Sequence, residues 1–161
     1  MPQVQAKPEV PKQEAPDNRV DVRLMKPGKY ETTPDMTFVL DIYLRKKDNR
    51  WILADGPGKD VDHESVTFRM WSYDEMIGMR KMATTYDQIK RIHMIDHDAL
   101  NQLKIQRLMI EWTFGRDNPR LKLFHVSGVL VDEGWNAFRR LQPNIISFIF
   151  DRMNRVYELN A

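Results

Sequence analysis

Residues 126–158 hold the strongest apolar periodicity of the chain, and they fix what the rest must pack against. The segment divides at Pro143. Before it, Trp135, Phe138 and Leu141 recur every three residues behind Asp132, which can cap a first helix. Beyond it, Ile145, Phe148, Ile149, Met153 and Val156 fall at helical spacing. Pro143 suits the first turn of that second helix, where the missing N–H is an orphan in any case. Two helices therefore meet near Gln142, and the second carries a stripe wide enough to bury against a large apolar surface.

That surface is predicted upstream. Phe38, Leu40, Ile42 and Leu44 alternate with Val39, Asp41 and Tyr43, the period of a strand with one face in a core. Lys46-Lys47-Asp48-Asn49 has turn chemistry and Trp51-Ile52-Leu53-Ala54 resumes the apolar run, so the pair reads as a β-hairpin. After an acidic loop at residues 60–64, Val66, Phe68 and Met70 give a third strand. Ser72-Tyr73-Asp74-Glu75 fits a capping box and starts a helix to about Ala83. Thr84 and Thr85 open a short helix edged by Tyr86, Ile89 and Ile92. Asp96 and Asp98 start the longest helix, running to about Phe114 with Gly115 as its stop. Leu121, Leu123 and Phe124 form a fourth short strand or a connector.

The predicted class is α+β, because strands precede helices without βαβ alternation. The N-terminal arm, residues 1–34, holds six of the nine prolines and few large apolar groups, and is expected to be disordered or extended. Should it order on a partner, Val20, Val22 and Leu24 are its anchors. Residues 35–161 are expected to form a single domain, with a small antiparallel sheet of about three strands over 36–71. A C-terminal helical bundle of four to five helices is expected over 72–161.

At 161 residues the chain can bury a core without staples, and it has no cysteine. Thiolate catalysis and Cys-based zinc sites are thereby excluded, and a reducing cytoplasm is compatible. The formal charge of +2 is too small to indicate a nucleic-acid partner, and no apolar run spans a bilayer.

Reactive chemistry finds little support. His93 and His97 are the weak metal candidates, four apart like the ends of an inverted zinc-protease motif, with Asp96 where Glu is usual. Asp96 and Asp98 break the backbone between them, and a third ligand would have to come from His63, His125 or Glu64. Asp60, Asp62 and Glu64 lack the glycine and the final glutamate of a calcium loop, and Gly56-Pro57-Gly58-Lys59 lacks the rest of a phosphate loop. No serine stands in a nucleophile elbow. No cofactor is implied, and the chain is expected not to be an enzyme.

Ten methionines are many for this length. Met76, Met79 and Met82 suggest either gap-filling between helix and sheet or an adaptable docking surface.

Val66-Thr67-Phe68-Arg69 running into the Ser-Tyr-Asp-Glu start, the helix from Asp98, and Asp132-Glu133-Gly134-Trp135 leading to Leu141-Gln142-Pro143-Asn144-Ile145-Ile146 resemble the small tail assembly chaperones of tailed bacteriophages. The resemblance covers roughly residues 66–158. It implies a non-enzymatic protein of the host-cell cytoplasm that binds a helical client, the tape-measure protein, while tail-tube subunits polymerise. A homo-oligomer is compatible with that role. The groove walls are expected to include Met76, Met79 and Met82 with Phe148 and Tyr157. The Pro-rich arm and the hairpin depart from the family's pattern and leave a structural virion component, such as a tail, adaptor or baseplate subunit, as the alternative. A tight polar pocket on which several ionisable side chains converge, with the methionines sealed inside, would overturn the reading of a chain that grips another polypeptide and makes no bonds of its own.

Overall fold

Strand β2 (Thr37–Lys47) is the axis of the molecule. The structure is a computed structural model, which describes residues 22–25 and 36–159, with side chains over 36–158. The alternation read from the sequence is present: Phe38, Leu40, Ile42 and Leu44 are buried. The strand turns back through Asp48 and Asn49, both at positive φ (50° and 60°), into β3 (Arg50–Leu53). Two left-handed residues in a two-residue loop make the turn whose twist matches a hairpin, and Asp and Asn tolerate that conformation best after glycine.

Along its other edge β2 pairs antiparallel with β4 (Val61–Arg69), which sets Phe68 opposite Phe38. Their rings stack with centroids 5.2 Å apart. The expected acidic loop is shorter than its charge suggested. Asp60 turns at φ 60°, and Asp62, His63 and Glu64 already belong to β4. Strand β1 (Val22–Met25) lies antiparallel on the N-terminal half of β2. Part of the predicted arm is therefore a strand, while residues 1–21 and 26–35, with Val20, lie outside the described residues.

Helix α1 (Tyr73–Met82) begins at the predicted capping box, with Ser72 Oγ accepting from Glu75 N and the Glu75 carboxylate accepting from Ser72 N. The expected short helix after it is instead a hairpin of β5 (Thr84–Asp87) and β6 (Ile92–Ile95). Asp87 Oδ1 accepts from the N–H groups of Ile89 and Lys90, and Arg91 turns the chain at φ 53°. A side chain that bonds the backbone two and three residues on competes with helix formation, and here it wins.

Helix α2 (His97–Leu108) starts on the Asp96 cap, as predicted, and stops six residues before Phe114. Met109–Trp112 is strand β7, which pairs with β4 across a bulge at Thr67 and Phe68. The free edge of β4 offers a ladder that a continued helix would leave unpaired, so tertiary pairing overrides the helical period. Gly115 is not a helix stop. A Cβ there would lie 2.7 Å from the Leu121 carbonyl oxygen, so it permits close approach of two backbones. Among the described residues the main sheet thus has five strands, in order β1-β2-β4-β7 with β3 beside β2, rather than about three.

Residues 121–124 form no sheet strand; a 3-10 turn (Pro119–Leu121) leads to a small hairpin of β8 (His125–Val126) and β9 (Val129–Leu130). Helix α3 (Asp132–Arg139) is preceded by Val131 with no side-chain cap, so Asp132 is a first-turn residue and not the cap. At that position its charge still favours the helix N-terminus. Helix α4 (Pro143–Leu159) starts where Pro143 placed it and packs against β2 and β3. Among the described residues there are four α-helices, interleaved with strands, in place of one uninterrupted C-terminal bundle, and the broad α+β class stands.

Ile145, Ile149, Met153 and Val156 of α4 are buried over the sheet, each contributing about 2 kcal/mol by burial. Tyr157 is the hub. Its ring meets Phe38 and Phe68 edge-on and lies 4.8 Å from Trp71, and its hydroxyl donates to the Arg69 carbonyl at 2.7 Å. No helix among the described residues is long and apolar enough to cross a membrane.

Candidate functional site

The five expected docking residues do not form one surface. Met76 (6% exposed), Met79 (3%) and Tyr157 (0%) belong to the core, and Phe148 is half-buried beneath the Arg152 guanidinium. Sequence spacing places Met76 and Met79 on the same face of α1, but that face is the one turned inward. Met82 alone is freely exposed, at 59%. It lines a groove of about 360 Å³ with Met79, Gly78 and the β8–β9 turn at Val129, beside the Arg69–Glu75 ion pair. Burial inside this ion pair is incomplete, and the two bonds donated by Arg69 hold the Glu75 carboxyl below its ordinary pKa.

Apolar surface is concentrated instead on the β5–β6 hairpin. Tyr86, Ile92, Met94 and Ile95 are all exposed, and Ile89 at the tip is 95% exposed. Cross-strand pairing sets Tyr86 opposite His93, and Thr84 opposite Ile95, on one face. Ile92 and Met94 stand on the other. All four residues of β6 are exposed, although Ile95 at its end also lines a cavity beside α2. Periodicity missed this surface because Tyr86, Ile89 and Ile92 also fit a helix edge.

The metal candidates separate. His93 is in β6 beside the Tyr86 ring, and His97 is the first residue of α2, so they do not share a helical face. His63 pairs with Asp41 at 2.7 Å, Glu64 accepts from the Thr113 hydroxyl, and His125 meets the Met109 carbonyl at 2.8 Å. The three suggested supplementary ligands are thus engaged elsewhere. Among the described residues no three His, Asp or Glu side chains converge as metal ligands would.

A polar cavity of about 300 Å³ lies between the helices. His97, Leu100, Asn101 and Lys104 occupy one stripe of α2, and Asn154, Tyr157 and Glu158 face them from α4. Trp71, Arg80 and Ile95 complete the wall. Lys104 is 5% exposed; its ammonium donates to Asn154 Oδ1 at 2.7 Å and sits 5.1 Å from the Trp71 ring centre. Asn154 in turn donates to Asn101 Oδ1 at 2.9 Å. Burial lowers the Lys104 pKa to about 8, a shift that Glu158 opposes and Arg80 reinforces. The same enclosure raises the Tyr157 phenol well above its ordinary value. Sequence reasoning missed this site, although a lysine between Leu100 and Leu108 on one helical face was its signal.

Met76 and Met79 inside, and ionisable groups around one cavity, count against a chain that acts by apolar grip on another polypeptide, while Met82 and Met94 remain exposed. The chain matches no protein-family model, no curated protein and no solved structure.

Proposed function

We propose that this chain is a non-enzymatic binding protein that grips another polypeptide, acting as a tail assembly chaperone for a helical tape-measure client. The observation that carries the reading is the β5–β6 hairpin, where five large apolar side chains are exposed within residues 84–95. A two-stranded ribbon is marginal by itself, and clustered exposed apolar groups mark sites that another chain covers. Met94 in the hairpin, and Met82 at the end of α1 that leads into it, are exposed and can adapt to a client of repetitive sequence. The docking surface is therefore placed on this hairpin, with an amphipathic client helix laying its apolar face against Ile92 and Met94.

Co-purification of the full chain with tape-measure fragments tests the proposal, in parallel with Ile89→Asp and Met94→Asp. Both side chains are exposed, so the variants are expected to fold and to lose the client. Failure of the parent to retain any fragment, or equal retention by the variants, overturns the reading.

A structural virion subunit is the second reading, favoured by strand β1. Residues Val22–Met25 pair with an edge of β2, and the same pairing made on a neighbouring copy would tie subunits together. Stoichiometric presence of the protein in finished particles would decide for it, since a chaperone leaves them.

A further inference from the structure

The cavity between α2 and α4 meets the docking hairpin only at Ile95, and its polar groups are too uneven for a region of plain core. Lys104 carries three N–H donors, of which one reaches Asn154 Oδ1. No carboxylate of the described residues lies within ion-pair distance of its ammonium. The indole N–H of Trp71, a residue 3% exposed, has no acceptor among the described residues. A buried donor without a partner costs about 1–3 kcal/mol, and beyond Asn154 the Lys104 ammonium meets only the faces of the Trp71 and Tyr157 rings, so the cavity is short of an acceptor for it.

We propose that this cavity binds a small organic monocarboxylate, with its carboxylate on Lys104 and its apolar body between Trp71, Tyr157, Leu100 and Ile95. The charge count favours a monoanion. Lys104 and Arg80 bring two positive charges and Glu158 one negative charge, which leaves a single surplus. A phosphate dianion would leave net negative charge facing Glu158. The walls favour an organic body, because Trp71, Ile95, Leu100 and Tyr157 line the cavity together with its polar groups. The volume of about 300 Å³ suits a small molecule and is too small for a stretch of polypeptide. Burial that has already pulled the Lys104 pKa to about 8 means a bound anion is repaid by restoring the ammonium's pairing.

Benzoate, benzamide and inorganic phosphate are the probes, titrated into the full chain by calorimetry. Benzoate is expected to saturate one site, with benzamide weaker by about tenfold or more, since its carbonyl can accept from Lys104 but brings no negative charge. Benzoate affinity stays level between about pH 7 and 8, where the ligand is an anion and Lys104 is protonated, and falls as the free ammonium deprotonates above that range. Lys104→Met is expected to weaken benzoate by about tenfold or more. The Lys104 titration followed by NMR on the unmutated chain, with and without benzoate, is independent of the variant's folding. Saturating benzoate should raise that pKa. An unmoved titration, benzamide or phosphate binding as well as benzoate, or no saturable binding at millimolar concentration overturns the proposal.

Discussion

Replacing Lys104 by methionine should stabilise the ligand-free protein at neutral pH and abolish a pH dependence that the parent shows. Its pKa falls from 10.5 to about 8 through burial. At about 1.4 kcal/mol for each pH unit, the folded chain carries a penalty of about 3 kcal/mol for holding the charge. Below pH 8 folded and unfolded chains both hold the proton, and the whole penalty is present. Between about 8 and 10.5 the folded chain releases its proton first; the unfolded chain then binds more protons, and stability rises with pH. Above 10.5 both states are neutral at this position and the penalty is gone.

Methionine matches the aliphatic stem of lysine but donates nothing to Asn154 Oδ1, and that orphaned acceptor costs about 1–3 kcal/mol. Lys104→Met is thus expected to gain about 1 kcal/mol at neutral pH and to become the less stable protein above pH 10.5. The raised pKa of Tyr157 lowers stability at strongly alkaline pH in both proteins and cancels in their difference. Urea unfolding followed by tryptophan fluorescence, over a series of pH values, gives that difference directly. A difference that stays flat across the 8 to 10.5 window refutes the reasoning, because a lysine that titrates normally is not desolvated.

Three further substitutions probe the frame. Tyr157→Phe removes the donor to the Arg69 carbonyl and should cost about 1–2 kcal/mol by denaturant unfolding, with little change in the slope. Glu75→Gln removes a carboxylate whose folded pKa lies below 4.5, so its stabilisation is present above that value and lost as pH falls through the folded pKa. The variant should therefore show a shallower loss of stability in acid than its parent. Gly134→Ala would drive a Cβ into the side chain of the fully buried Leu130, with the Phe124 N–H 3.3 Å away, and should cost about 1–3 kcal/mol by thermal or urea melts.

Where one face of an element meets the core, the sequence is legible. Phe38 to Leu44 and Ile145 to Val156 each announce their period, and both bury the predicted side. Local chemistry is legible too, at the Ser72–Glu75 capping box, the Asp96 cap and Pro143. Strand β7 is not, because Met109 to Trp112 continue the apolar period of α2 and are claimed by an edge of β4 formed some forty residues earlier. The Ser127-Gly128 pair, at φ 51° and 77°, was a readable hairpin signal between Val126 and Val129. Lys104 was hidden by habit of interpretation. A lysine in an apolar stripe is ordinarily assumed to snorkel outward, and this one is closed in by Trp71 and Tyr157.

The β5–β6 hairpin shows why the least legible segment is also the candidate surface. Sequence patterns reveal secondary structure because a core selects which residues face inward, so an element that faces no core leaves a pattern without a side. Tyr86, Ile89 and Ile92 satisfy a helix period and Ile92 and Met94 a strand period, and burial within the chain favours neither. What decides the conformation is local: the Asp87 carboxylate bonding two N–H groups and Arg91 in the left-handed region. Apolar side chains held in place by turn chemistry rather than by their own burial lack a core partner within the described chain. A second polypeptide lying on Ile92 and Met94 would supply the missing inward side and turn an ambiguous sequence pattern into a strand with one buried face.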